Sequence, residues 1–417
     1  DVAAGIHRPL TLTALALHGD SGPIVLITAD LGWWRQVEDE AAVRSGVLEA
    51  HGLEPDRLML HLTHTHAGPS ICSADADLDG GELVPEYLAR LREAAIEATG
   101  IALSSAVPAT LTVATGQCGV AANRDLPCGE RYVVGFNPDV PADDTVLAGR
   151  VADVDGRVIA TLVNYACHPT TFAWENALIS PDFAGALREV VEAGTGGAPC
   201  LFLQGASGEL APREQYTADP EVVDRHGRAI GHAALSAVEA LPAAGRQLVF
   251  EQVVESGAPL AWWRPRDADW PHVARSVTAG VPVPARSLPA LEELERQWAG
   301  IDPASRATRL ERAEKLRATY PADGQLTHPV WVWRLGDIIL VGHPGEAFSL
   351  LQTELRRRFA DNPVFVLNLV NGPGWVYLPP RESYVHDKYQ VWQTTLGEGS
   401  LEILIDAVTD RIADLMA

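Results

Sequence analysis

The chain has 417 residues, 47% of them hydrophobic and 21% charged, which is ordinary globular usage and enough to bury one large core or two smaller ones. Its formal net charge of -23 repels phosphate, which argues against nucleic acid and against stable association with an anionic membrane, and leaves a small molecule as the expected partner. No apolar run approaches the ~20 residues that span a bilayer, and the amino-terminal stretch has no charged region followed by an apolar segment, so a soluble cytoplasmic protein is expected, with secretion and oligomeric state left open.

In chain order, Leu10 to Leu17 and Ile24 to Thr28 read as strands joined by the turn-rich His18-Gly19-Asp20-Ser21-Gly22-Pro23, and Asp30 closes the second. Trp33 and Trp34 follow in a loop, where large aromatics form a packed rim or a pocket wall. Glu38 to Ala50 has helical periodicity. Leu58 to Leu62 is a short apolar run stopped by Ala67-Gly68-Pro69, the pattern of a strand buried inside a layered α/β domain. His64 and His66 therefore stand at a strand's carboxyl end. Two residues apart on an extended chain they point to one side, toward the place where open α/β sheets put ligands. A His-x-His pair alone is a weak metal signal, because a zinc site takes three or four protein ligands or a water in the last place.

Pro85 to Thr99 reads as an amphipathic helix with Gly100 at its end, and Ala109 to Thr115 as a strand. Val151 to Val154 and Val158 to Tyr165 flank Asp155-Gly156, a hairpin signal, and the second strand runs into Ala166-Cys167-His168-Pro169. Cys200 to Gln204 is another buried strand, left through the small residues Gly205 to Gly208. Asp224 to Leu241 is helical, Gln247 to Glu255 is a strand, and Trp262 to about Ser287 reads as a long loop or lid. Leu291 to Thr319 is a charged helical stretch, most of it a solvated face. Val330 to Leu335 alternates with period two, Ile338 to Val341 returns and ends in Gly342-His343-Pro344-Gly345-Glu346, and Val364 to Val370 repeats that architecture before Gly374-Trp375-Val376-Tyr377. A closing helix ends at Met416. The five cysteines, Cys72, Cys118, Cys128, Cys167 and Cys200, are not in metal-ligand spacing, and a reducing compartment is the default; Cys118 and Cys128 could pair only in an exported protein.

His64, His168, Glu346 and Tyr377 thus each follow a strand. Two imidazoles and a carboxylate are the first shell expected of a catalytic zinc. The motifs Thr63-His64-Thr65-His66-Ala67-Gly68-Pro69, Asn164-Tyr165-Ala166-Cys167-His168, Pro344-Gly345-Glu346 and Tyr377-Leu378-Pro379-Pro380-Arg381-Glu382-Ser383-Tyr384, in this order, resemble the neutral ceramidase family across nearly the whole chain.

The resemblance implies a zinc-dependent amide hydrolase with an α/β fold. It implies one Zn2+ per chain held by His64, His168, Glu346 and Tyr377, with His66 as donor to a developing oxyanion and Arg124, beside Asn123, positioning the substrate. The family's Gly-Asp-x-Ser-Pro appears here as Gly208-Glu209-Leu210-Ala211-Pro212, so Ala211 stands in the serine's place and Glu209 in the aspartate's. Glu209 and Asp182 are then the candidates for general base in a zinc-water mechanism. Trp33, Trp34, Trp174 and Trp375 suggest an aromatic-walled pocket for a ring-bearing or sugar-like substrate.

One catalytic domain over residues 1–417 is expected, with a loop or helical insertion at about 257–325. The family's further immunoglobulin-like domain has no counterpart before Ala417, which, like Ala211, weakens ceramide as the expected substrate. A soluble N-acyl amide is expected instead. An ester or lactone hydrolase using the same chemistry, and a non-catalytic binding homologue, are the competing readings.

Overall fold

The computed structural model describes residues 2–268, 272–318, 325–374 and 376–417, and in it the apolar runs become strands buried on both faces. Successive side chains of a strand point to opposite sides, so each run feeds two cores at once. Along Leu58–Leu62, Met59 enters a core shared among the sheets, while Leu58, Leu60 and Leu62 pack under helices. Trp331 and Trp333 enter the same shared core, and Val330 and Val332 face the other way.

Among the described residues, three sheets of three or four strands carry the fold. Leu12–Gly19 pairs antiparallel with Gly22–Ala29, which pairs parallel with Leu58–Leu62. The second sheet runs Cys200–Gln204, Val158–Tyr165, Thr145–Asp153, Ala109–Gln117, with only its first pair parallel. The third runs Ala274–Pro284, Gln325–Leu335, Ile338–Gly342, Val364–Leu367, and only its last pair is parallel. Helices Val37–His51 and Val84–Ser104 cover the first sheet, Phe183–Gly194 and Pro220–Glu239 the second, and Leu350–Arg358 and Ser400–Met416 the third. This is the layered α/β architecture expected.

The sheets meet at the carboxyl ends of their parallel strands. Gln204 N donates to His61 Nε2 at 3.0 Å, Thr28 Oγ1 donates to the Phe202 carbonyl at 3.0 Å, and Asn368 N donates to the Gln204 carbonyl at 3.1 Å. Because His61 accepts at Nε2, its proton sits on Nδ1 facing Thr28 Oγ1 at 3.1 Å. Burial pushes its pKa down to about 3, so it is a neutral link between sheets and not a ligand.

Three expectations change. The helix Val84–Ser104 runs through Gly100, because that glycine lies against the neighbouring helix: a Cβ there would stand 3.2 Å from His51 Cε1. The stretch read as a lid holds the strand Pro259–Asp267, paired with Arg246–Glu255 in a hairpin, and Ala274–Pro284. Ala274–Pro284 is an edge strand, the place in a sheet where Pro282 and Pro284 are tolerated. The charged helical stretch is two helices, Leu291–Gln297 and Pro303–Ala318, the second begun by a proline. The region expected as an insertion therefore includes a strand integral to the third sheet. All five cysteines are free, Cys118 and Cys128 included, and no described helix is long and apolar enough to cross a membrane.

Candidate metal centre

The strand Leu58–Leu62 keeps its pairing beyond its end: Thr63 N donates to the Ala29 carbonyl and His64 N to the Leu31 carbonyl, both at 2.9 Å. His64 then turns into the left-handed region at φ 70°, a conformation a side-chain-bearing residue adopts only when its surroundings hold it there. Its ring ends 4.8 Å from that of His66 and 4.8 Å from that of His168. The two imidazoles of His-x-His do share one cleft, but through this turned residue and not through an extended chain.

Both buried ligand candidates are oriented the same way. His64 Nδ1 lies 3.1 Å from the Gly32 carbonyl, and His168 Nδ1 lies 2.7 Å from the Ser207 carbonyl and 3.1 Å from that of Leu210. A carbonyl only accepts, so each Nδ1 carries the proton and each Nε2 presents a lone pair. Those lone pairs converge on Glu346 Oε2, at 3.4 Å from His64 and 3.0 Å from His168. Three acceptor atoms facing one another could hold a cation among them, and His64 Nε2 is buried with no hydrogen-bond partner. The three ligand atoms lie within 4.8 Å of one another. Burial and then the Arg124 charge hold His168 near a pKa of about 4, a neutral imidazole suited to ligation.

Glu346 reaches this point because Glu346–Ala347 pairs in parallel with Tyr377–Leu378, register Glu346 to Tyr377. Tyr377 Oη accepts from Arg124 Nη2 at 3.1 Å, and its ring stacks on His168 at 6.4 Å. Arg124 is buried, anchored through Nη2 to the Gly208 carbonyl at 2.7 Å, and its Nη2 comes within 3.3 Å of His168 Nε2. His64, His66, Glu346 and Tyr377 line a cleft of about 540 Å³, walled on one side by Trp33 and Trp34, a volume in the range of small-molecule sites. Trp33 packs on both His64 and His66, at 5.7 and 5.1 Å.

The other sequence candidates lie elsewhere. Asp182 caps the helix Phe183–Gly194, its carboxylate accepting from Phe183 N at 2.7 Å and Phe172 N at 3.0 Å. Glu209 accepts from Ser349 N at 3.0 Å and from the Ser349 hydroxyl, at the start of Leu350–Arg358. Neither carboxylate lines the cleft, and each is taken up by the amino terminus of a helix. Asn123 Oδ1 accepts from Asp125 N at 2.9 Å and shapes the turn that carries Arg124. Trp174 is exposed against Tyr216, away from the cleft, and Trp375 lies outside the described residues. Ala211 is buried in the strand Leu210–Pro212, paired with Ala122. What sequence reasoning missed are Gly32, Ser207 and Leu210, whose main-chain oxygens orient the imidazoles and leave no residue-type signal.

Glu209 gives a pH-dependent expectation. Burial pushes its pKa up to about 7 in spite of the Ser349 bonds. A carboxyl raised on folding favours the fold below its ordinary pKa of ~4.3, and that contribution is lost as pH rises through the folded value. Glu209→Gln keeps an acceptor for Ser349 and cannot ionise, so its stability relative to the native chain should rise between about pH 5 and pH 7.5. Thermal unfolding of both across that range tests it; parallel Tm curves would mean that Glu209 does not titrate there.

No family model matches the chain. A neutral ceramidase of Mycobacterium tuberculosis is 27% identical over 243 residues, 52% of this chain and 37% of the relative, so the chain spans little more than a third of that protein's length. The crystal structure of neutral ceramidase from Pseudomonas aeruginosa superposes with a TM-score of 0.68 at 18% identity, covering 98% of this chain and 70% of that one. This chain has the neutral ceramidase fold. A second structure, a ceramidase complexed with C2, gives a TM-score of 0.65 at 16% identity with the same coverage. The resemblance to the neutral ceramidase family carried by the four motifs stands on these matches, and the His64, His168 and Glu346 motifs are the ones that meet in the cluster.

Proposed function

We propose that this chain is a zinc-dependent hydrolase that cleaves the amide bond of a soluble N-acyl compound in the cleft above Glu346. The observation that supports it most is the convergence of two Nε2 lone pairs on Glu346 Oε2, each imidazole aimed by a carbonyl behind it. Two imidazoles and a carboxylate suit zinc by ligand type, and Tyr377 completes the set in this reading. When bound, zinc supplies the Lewis acidity that activates water and polarises a carbonyl.

The chain's own side chains do the rest. Arg124 keeps a guanidinium charge beside the cluster, and His66 offers an imidazole from the cleft wall, so a developing oxyanion meets donors already in place. Trp33 and Trp34 exclude water from one side and hold apolar substrate parts. Amide cleavage is favoured over other acyl chemistry because the curated relative and both structures carry the name ceramidase, and a ceramidase cleaves an amide. A soluble substrate is favoured by the net charge of -23, which opposes approach to an anionic bilayer.

The deciding measurement compares kcat/KM on a panel of soluble N-acyl amides with that on long-chain ceramide in detergent micelles. The soluble compounds should be turned over faster. A ceramide value equal to the best of them or above it excludes the soluble-substrate part of the reading, and turnover of esters alone excludes the amide part.

A further inference from the structure

The cleft carries charges that the metal site does not use. Arg35, Arg312 and Lys315 line it, and among the described lining residues Glu346 is the only carboxylate. In a chain of net charge -23 this lining is locally far less acidic than the whole. Within a Debye length of ~8 Å such a local field, and not the distant net charge, decides what an entering group feels. Arg35 pairs with Asp75 at 2.5 Å, and Lys315 with Glu311 at 2.6 Å. Arg312 is different: its Nη1 donates to Tyr389 Oη at 3.3 Å and to Gln393 Oε1 at 3.2 Å, and among the described residues it has no ion-pair partner. Tyr389 and Gln393 also line the cleft. Neutral acceptors hold Nη1 without cancelling the guanidinium charge, and a planar fork of donors is what carboxylate and phosphate recognition uses. The Tyr389 ring is 5.8 Å from the Tyr377 ring, which puts Arg312 one tyrosine beyond the ligand cluster.

We infer that the substrate carries an oxyanion, a carboxylate or a phosphate, which Arg312 binds while the amide lies at the His64–Glu346 cluster. This rests on the amide-hydrolase reading and narrows it. Ceramide has no such group. The plainer account is that Arg312 only braces Tyr389 and Gln393, and a brace does not distinguish an anionic ligand from a neutral one.

The test uses three matched compounds: N-octanoylglycine, O-phosphoryl-N-octanoylethanolamine and the neutral N-octanoylethanolamine. Binding is measured by calorimetry on chelator-treated protein, and hydrolysis on the metal-replete protein. At least one anionic compound should bind about tenfold more tightly than the neutral one, with the advantage shrinking as salt is added, and which anion gains it names the source. Arg312→Met, which keeps the aliphatic stem, should cut the anionic compound's affinity and kcat/KM about tenfold more than the neutral compound's, and Arg312→Lys should restore part of the loss.

Anion-selective binding without hydrolysis of any compound would uphold the anion site at Arg312 and overturn the hydrolase reading. Hydrolysis with equal preference for all three, or equal losses for all three in Arg312→Met, would overturn the inference and leave the hydrolase reading standing. If Arg312→Met does not fold, the anionic-to-neutral ratio and its salt dependence in the native chain decide alone.

Discussion

Replacing His168 by alanine should empty the metal site and lower kcat/KM on the best amide substrate by about 10³-fold or more. Lewis acidity is worth several kcal/mol to a charged transition state, and each ~1.4 kcal/mol is tenfold in rate. The size of the effect follows from the ligand count. Without His168 Nε2 the proposed set keeps His64, Glu346 and Tyr377 and loses one of its two imidazoles, which weakens its hold on zinc. His168 is also the candidate ligand most firmly aimed, with two carbonyls on its Nδ1 and Tyr377 stacked on its face. Elemental analysis of the native chain prepared without chelator should give about one zinc per chain, and His168→Ala should give little. A native chain that holds no zinc under those conditions would remove the site as drawn, and a variant that keeps both metal and turnover would remove His168 from it.

The fold and the candidate ligands were legible for one reason: short apolar runs bounded by turn residues read as strands buried on both sides, and each of these ends in a polar residue that has to find a use. Residues 58–62, 158–165 and 338–342 read this way, and so His64, His168 and Glu346 could be picked out before their meeting was visible. What could not be read is where side-chain oxygens go. Asp182 and Glu209 looked like free carboxylates near strand ends, yet each meets the amino terminus of a helix that sequence places either directly after it or far away. The orientation of the imidazoles was equally hidden, since main-chain oxygens of Gly32 and Ser207 supply it. Arg312 was one of many charges on a helix read as a solvated face; only its placement beside Tyr389, some 77 residues later, sets it apart. The prolines and tryptophans of residues 259–284 suggested a loop because edge-strand prolines look the same as loop prolines until the neighbouring strand is known.

The largest stability loss is expected at Arg188→Met, outside the candidate metal cluster but tied to it through Asp30. Asp30 closes the strand Gly22–Ala29 and its side chain is fully buried. Its oxygens accept from Arg188 Nη1 at 2.8 Å, from Thr11 N at 2.9 Å and from the hydroxyls of Thr11 and Thr63 at 3.0 and 3.1 Å. Arg188 comes from the helix Phe183–Gly194, so the ion pair joins the helical cover of the second sheet to the strand ends of the first. Methionine fills most of the arginine's volume and leaves the Asp30 charge buried without its counter-ion, which costs about 3–5 kcal/mol. Asp30→Asn in the same chain should recover a large part of that loss, because the amide has no charge to strand, and the non-additivity of the two substitutions measures the pair. Thr63 is bound to Asp30 and immediately precedes His64, so wherever Arg188→Met remains folded its zinc affinity should fall too. Chemical denaturation of the native chain, both single variants and the double is the measurement. A loss below about 1 kcal/mol in Arg188→Met would place this pair with ordinary surface ion pairs, and zinc affinity unchanged in a destabilised variant would show that the hold of Asp30 on Thr63 does not reach His64.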